Sequence, residues 1–308
     1  MTATPLHPRV SVVIPSWNTS ELTRLALEHL FASDLVPHQV VVVDNGSEDG
    51  SADMVAERFP QVELIRNPRN EGFAIACNQG MLACDGDYVF LLNTDTEVAP
   101  DALSLLVDWL ETHPEYGAAA PRLVHRSGET QRTCMAFPRW RTPLFFATPF
   151  ERWFPNSAEL RRYFLRDWAQ EDSRDADQPP AAALLLRRSA LDQVGLFDER
   201  LWLFYNDVDL SKRLADAGHR TRYVAEARVV HHVGASTSRF AGFVPIWHDN
   251  RLTYFRKHFG FWAGPWVKAC VTFTITDLVV RTLWSRLRGR PCEPLGPILA
   301  SYRRFLLS

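Results

Sequence analysis

Short apolar runs, most of them β-branched, alternate with helical stretches along the first hundred residues, and each run stops on polar side chains. Val10–Ile14 predicts a buried strand ended by Pro15. Thr19 or Ser20 can cap the next helix, whose apolar face is Leu22, Leu25, Leu27 and Leu30. Val40–Val43 predicts a second strand ending on Asp44-Asn45-Gly46-Ser47, a helix follows over Ala52–Arg58, and Val62–Ile65 predicts a third strand. Asn70-Glu71-Gly72-Phe73 opens a helix to about Ala83, and Tyr88–Leu92 is five apolar residues bounded by Asp87 and Asn93. Such a run suits a strand buried on both faces. This alternation predicts right-handed βαβ units, a parallel Rossmann-like sheet and the α/β class.

Beyond Pro100 a helix turns Leu103, Leu106, Val107 and Leu110 inward, and Ala118–Leu123 predicts another strand. Residues 127–178 read as irregular, rich in aromatics and arginines. Ala181–Leu186 returns as a buried strand, and Ser189 starts a short helix ending near Gly195. A helix headed by Asn206 or Asp207 runs to about Ala217 and stops at Gly218, and Val224–Val230 reads as an edge strand closing on His231. Val267–Leu287 predicts a further helix stopped by Gly289 and Pro291.

The chemistry collects where strands stop. In an open parallel sheet, ligands sit outside the carboxyl ends of the strands. The run at Tyr88 ends on Asn93-Thr94-Asp95, and a carboxylate there suits a hard divalent cation that bridges substrate phosphates. Asp44 can accept a hydrogen bond from a pyrimidine imino N–H, and the Asn70–Gly80 segment brings small residues, amides and a helix start to the same edge. Asp207 and Asp209 fall in a first helical turn, where the dipole favours ionised carboxylates of the kind a general base requires. Each also has an ordinary reading, Asp44, Asn93 and Asp95 as turn residues and one Asp of the pair as an N-cap. No G-x-G-x-x-G follows the first strand and no G-x-x-x-x-G-K-[ST] occurs, which argues against dinucleotide dehydrogenases and P-loop enzymes.

Charge changes the picture at one end. The net charge of −2 hides ten Lys/Arg against Asp277 and Glu293 from Arg251 onward, leaving 24 basic and 34 acidic residues in the body. An acidic body argues against nucleic-acid binding, and a basic tail suggests an anionic surface. Arg281, Arg286, Arg288 and Arg290, with Trp266 and Trp284, flank an apolar segment, a pattern that suits a helix lying in a membrane interface. The alternative is a helical bracket packed on the body or across a homodimer. No stretch reaches eighteen uncharged apolar residues, Met1–Arg9 lacks a signal-peptide core, and the five scattered cysteines fit a reducing cytosol.

Six stretches carry a family resemblance: VSVVIPSWN (10–18), VVVDNGSEDGS (41–51), NEGFAIACNQG (70–80), LLNTDTEV (91–98), VGLFDERLWLFYNDVDLSKRLADAGHR (194–220) and VVHHVGAS (229–236). Together they resemble glycosyltransferase family 2, the inverting GT-A enzymes, most closely the bacterial rhamnosyltransferase-like branch. The resemblance implies a catalytic domain over 1–250, with a nucleotide-binding half at 1–98 and an acceptor-binding half at 99–250, and a tail at 251–308. It implies a nucleotide-sugar donor, dTDP or UDP and best rhamnose, with Mg²⁺ or Mn²⁺ at Asp95 and His231 and Asp207 as catalytic base. Asp44 and the backbone of Pro15, Ser16 and Trp17 would hold the base. Asn18, Asn70, Gly72, Phe73, Asn78, Asn93 and Thr94 complete the nucleotide side, and Trp202, Asn206 and Asp209 take the sugar or acceptor side.

The acceptor implied is a glycan or polyprenyl-linked glycan at the inner face of the cytoplasmic membrane. Two positions depart from the family pattern, Asn93 at the first D-x-D position and Asn206 in place of the usual Glu. A sugar-phosphate nucleotidyltransferase should carry a Gly-rich, Arg/Lys-bearing loop after the first strand, where Pro15-Ser16-Trp17-Asn18 stands. An inactive nucleotide-sugar-binding module should have lost Asp95 or Asp207.

Overall fold

The computed structural model describes residues 8–232, 243–289 and 295–307. In chain order these form β1 (Val10–Ser16), α1 (Ser20–Phe31), β2 (Gln39–Asp44), α2 (Ser51–Arg58), β3 (Glu63–Arg66), α3 (Phe73–Ala83), β4 (Tyr88–Leu92) and β5 (Thr96–Val98). Then come α4 (Ala102–Thr112), β6 (Tyr116–Val124), α5 (Thr142–Phe145), α6 (Pro149–Trp153), α7 (Ala158–Tyr163), β7 (Arg174–Asp175) and β8 (Ala183–Arg187). The chain continues through α8 (Arg188–Val194), α9 (Asn206–Asp216), β9 (Arg220–His231), α10 (Phe243–Phe259), α11 (Ala263–Leu287) and α12 (Leu295–Leu307). It divides into two compact units. One holds the described residues among 1–135, 168–202 and 206–239, and the other those among 136–167, 203–205 and 240–308.

In the first unit the described strands form one nine-stranded sheet in the order β3-β2-β1-β4-β8-β6-β9-β5, with β7 on β9. β1 pairs parallel with β2 and β4, and β2 with β3. β8 is antiparallel to both β4 and β6, and β9 is parallel to β6. The carboxyl ends of β1, β2, β4, β6 and β9 therefore share one edge. β9 is longer than its sequence suggests and is no edge strand, because β6 lies on one side and β5 with β7 on the other.

Alternation along the strands splits the core in two. Val12, Ile14, Val42, Phe90 and Leu92 pack with Leu27 and Leu30 of α1 and Leu103 and Leu106 of α4. Val13, Val41, Val43, Val89 and Leu91 pack on the opposite face with Cys77 and Met81 of α3 and Leu210 and Leu214 of α9. Strands covered on both faces need unbroken apolar runs, which is why Val40–Val43 and Tyr88–Leu92 show no polar alternation. α3 lies so close that a Cβ on Gly80 would sit 2.3 Å from Val13 Cγ1.

The second unit contains α5, α6 and α7, drawn from the stretch expected to be irregular, with α10, α11 and α12. Pro143 and Pro149 stand in the first turns of α5 and α6, and the Thr148 and Ser157 hydroxyls cap α6 and α7. The Arg251 guanidinium is buried against Trp247 and donates to the Pro143 carbonyl at 2.7 Å. Ala263, Val267, Cys270 and Val271 of α11 are buried, whereas Val280, Leu283, Trp284 and Leu287 are exposed. By length and composition α11 is long and apolar enough to cross a membrane, longer than the sequence expectation allowed, yet 28% of its apolar window is buried inside the structure. The same pattern is met by packed helices of soluble proteins. The expected stop at Pro291 lies outside the described residues.

Candidate active site

Three loops meet at the shared strand edge. After β1, Ser16 lies level with Asp44 of β2, and its hydroxyl is bonded within the Thr19 and Thr23 hydroxyls rather than offered to a ligand. Pro15 stands beside Val43 in the ladder, and Trp17 is half-buried in the following loop. Asn18 is left-handed at φ 51° and latches this loop to the next. Its N–H donates to Ser47 Oγ at 2.9 Å, and its Oδ1 accepts from the Glu48 N–H at 2.8 Å. The expected cap on α1 comes from that second loop, where Asp49 Oδ2 accepts from the Ser20 N–H at 2.9 Å.

Asp44 is buried. Oδ2 accepts from the Ser47 N–H at 3.0 Å, while Oδ1 has no hydrogen-bond donor. A buried carboxylate oxygen without a partner is costly, and a ligand N–H restores the bond. Beside it Asn45, which sequence reasoning passed over, organises the adjoining loop. Its Nδ2 donates to Asn70 Oδ1 at 3.0 Å and to the Gly72 carbonyl, and its Oδ1 accepts from Asn67 Nδ2 and the Glu71 N–H.

The start of α3 is not an anion site. The Phe73 N–H donates to the Trp202 carbonyl at 2.8 Å, and that carbonyl also receives the Ala74 N–H. Asn78 likewise clamps Phe197, accepting from its N–H at 3.0 Å and donating to its carbonyl at 2.9 Å, with a third bond to Glu199. Asn78 and the first amides of α3 therefore belong to internal packing rather than to a phosphate. Gly72, at φ 100°, is required here, since a Cβ would lie 2.3 Å from Trp202 Nε1.

The turn Asn93-Thr94-Asp95 joins β4 to β5 and is closed by Thr96 Oγ1 donating to the Asn93 carbonyl at 2.6 Å. Thr94 and Asp95 are buried, and Asn93 Oδ1 and Asp95 Oδ1 have no hydrogen-bond donor. His231, at the end of β9, sets Nε2 3.6 Å from Asp95 Oδ1. Burial pushes the Asp95 carboxyl above its usual range and holds the His231 imidazole below its own. A carboxylate oxygen without a donor beside an imidazole is of the chemistry that suits a divalent cation. Among the described residues no three His, Cys, Asp or Glu side chains converge.

Asp207, at the start of α9, reaches the same place through the backbone. Its Oδ2 accepts from the Ala181 N–H at 3.4 Å and its Oδ1 from the Val208 N–H at 2.8 Å. The adjoining Ala182 carbonyl accepts from the Asn93 N–H at 2.8 Å. One dipeptide at the head of β8 thus ties the candidate base to the acidic tip. Burial outweighs the backbone hydrogen bonds at the helix start and raises the Asp207 carboxyl above its usual range. Asn206 is buried and accepts from the Asp207 N–H at 2.9 Å. Asp209 is not on a sugar or acceptor face. It is fully buried and takes Arg213 Nε at 2.9 Å, while Arg213 straps the Val194, Gly195 and Leu196 carbonyls. The i,i+4 spacing of Asp209 and Arg213 was a legible sign of that role. The motif residues after His232 lie outside the described residues.

Comparison with known proteins identifies the family and the fold. The profile of the family described as Glycosyl transferase family 2 matches residues 11–193. An N-acetylglucosaminyl-diphospho-decaprenol L-rhamnosyltransferase from Mycobacterium tuberculosis is 30% identical over 273 residues, 82% of this chain and 87% of that protein. The mannosyltransferase PcManGT from Pyrobaculum calidifontis, solved with GDP-Man and Mn²⁺, superposes with a TM-score of 0.56 at 19% identity over 99% of this chain and 82% of its own. GalNAc-T7, solved with UDP, GalNAc and Mn²⁺, gives 0.57 at 17% identity over 82% and 50%.

Proposed function

The chain belongs to glycosyltransferase family 2 as a glycosyltransferase of GT-A fold, and from that premise we propose that it is an inverting enzyme acting on a dTDP- or UDP-sugar. Similarity to the mycobacterial relative favours rhamnose as the sugar and a lipid-linked glycan hydroxyl as acceptor. The observation that carries the mechanism is the Ala181–Ala182 dipeptide, which anchors both Asp207 and the Asn93–Asp95 turn.

In this reading Asp44 accepts the imino N–H of the pyrimidine, and the Asn18 and Asn45 networks hold the loops around it. Asp95 and His231 hold a divalent cation, which when bound offsets the charge of the departing diphosphate. Asp207 takes the acceptor hydroxyl proton as that oxygen bonds to the anomeric carbon and the carbon–phosphate oxygen bond breaks. A single displacement inverts the centre, and no second carboxylate is needed as a nucleophile. Incubation with a panel of nucleotide-sugars and Mn²⁺ tests the reading. Release of nucleoside diphosphate from a pyrimidine donor is expected, and no release from any donor overturns it.

Asp44→Ala isolates the base contact. Loss of one charge-assisted hydrogen bond should weaken binding of a thymidine or uridine diphosphate by about 1.5–3 kcal/mol, measured by calorimetry. Unchanged affinity would remove Asp44 from the nucleotide site.

The membrane role of the tail is a second proposal, supported by the outer half of α11. Val280, Leu283, Trp284 and Leu287 are exposed near Arg286 and Arg288, and Phe261 and Trp262 are exposed just ahead of the helix. Its inner half is packed, with Asp277 held by Arg152 and Arg281, as the bracket reading requires. Full-length protein should sediment with anionic vesicles at low salt and be released near 1 M salt, where the screening length falls to about 3 Å. Failure to sediment at low salt leaves the bracket alone.

A further inference from the structure

Gln131 lies beyond β6, almost fully buried, and its amide joins two strand ends far apart in sequence. Nε2 donates to the His231 carbonyl at 2.6 Å and to the Val124 carbonyl at 3.2 Å, and it also faces His125 Nδ1 at 3.2 Å. Two carbonyls can only accept, so the amino end of the amide must face them. A flipped amide would press its oxygen against the His231 carbonyl oxygen. The Oε1 end therefore faces His231 Nδ1, 2.9 Å away, and because a carbonyl only accepts, Nδ1 carries the proton.

The consequence falls on the other ring nitrogen. In a neutral imidazole with Nδ1 protonated, Nε2 is a bare lone pair. It points at Asp95 Oδ1 over 3.6 Å, beyond a hydrogen bond, and that oxygen has no donor of its own. Two acceptors confronting each other in a buried site repel unless a proton or a metal cation lies between them.

We propose that Gln131 is a positioning residue that fixes His231 as the Nδ1–H tautomer and presents its bare Nε2 to the Asp95 side of the site. The tautomer stands on the hydrogen bonds above, whereas its use, ligation of a divalent cation, rests on the metal reading already proposed. Partners that orient a ligating histidine in this way commonly govern metal affinity.

Long-range proton–nitrogen correlation spectra of histidine-labelled protein read the tautomer directly. His231 should show the Nδ1–H pattern in the wild type and lose it in Gln131→Met. Titration with Mn²⁺ alone, followed by electron paramagnetic resonance, should show affinity lowered about 10–100-fold by the same change. An Nε2–H pattern in the wild type overturns the assignment even if Gln131→Met fails to fold, and so does a Gln131→Met protein with unaltered tautomer. If His231→Ala binds Mn²⁺ like the wild type while the Nδ1–H tautomer is seen, the metal reading fails and Gln131 retains its tautomer-setting role.

Discussion

Asp207→Asn is expected to lower transfer by roughly 10²–10⁴-fold, the usual worth of general-base catalysis, with donor binding preserved. Asn keeps the shape and the acceptor oxygen for the Val208 N–H, and removes the group that receives the proton. The fold should survive. Burial raises the Asp207 carboxyl, so the native state favours its neutral form. That contribution to stability is complete below the ordinary Asp pKa and is lost as pH rises through the raised one. At neutral pH the charge is thus a liability to the fold, and the melting temperature of Asp207→Asn should equal or exceed that of the wild type. In the wild type, transfer should rise with pH through an apparent pKa above the usual Asp value, and Asp207→Asn should flatten that limb. Near-normal transfer by Asp207→Asn would dismiss it as the base.

Asp95→Ala should remove measurable turnover, and excess EDTA should do the same to the wild type until Mg²⁺ or Mn²⁺ is restored. The side chain makes no hydrogen bond through Oδ1, and burial raises its carboxyl too, so its neutral form is likewise the one the fold favours. Its backbone carbonyl still accepts from the His232 N–H at 2.8 Å in the variant, so the β5–β9 junction keeps its geometry. Circular dichroism and thermal melting should therefore show a folded protein. Full turnover in excess chelator would refute the cation seat.

Much of this was legible because it is local. Valine-rich runs betray strands covered on both faces, and the polar tips Asp44 and Asn93–Asp95 mark the edge where they stop. The caps and prolines of α5, α6 and α7 were equally readable, although the aromatic crowding of that stretch masked them. Gln131, Asn45 and the Trp202 carbonyl were not readable. Each acts through a partner distant in sequence, Gln131 and His231 being 100 residues apart, and such pairing leaves no periodic trace. Helix position alone also left out the desolvation that tertiary packing imposes on Asp207, which opposes the macrodipole and raises its carboxyl.

The ties that bring Asp207 to the edge also set an order of assembly. β1, β2 and β3 meet their parallel neighbours through short crossovers and β4 returns to β1 across 78 residues, whereas Asn78 reaches Phe197 across 119 residues and Tyr88 meets Arg187 across 99. Closing long loops delays the contacts that depend on them. A chain emerging from the ribosome therefore has the strands bearing Asp44 and Asp95 before it has the strap at Ala181–Ala182 or the helix bearing Asp207. On the proposed reading, the strand bearing the Asp44 contact is made first, and His231 and Asp207 come only with the last third of synthesis.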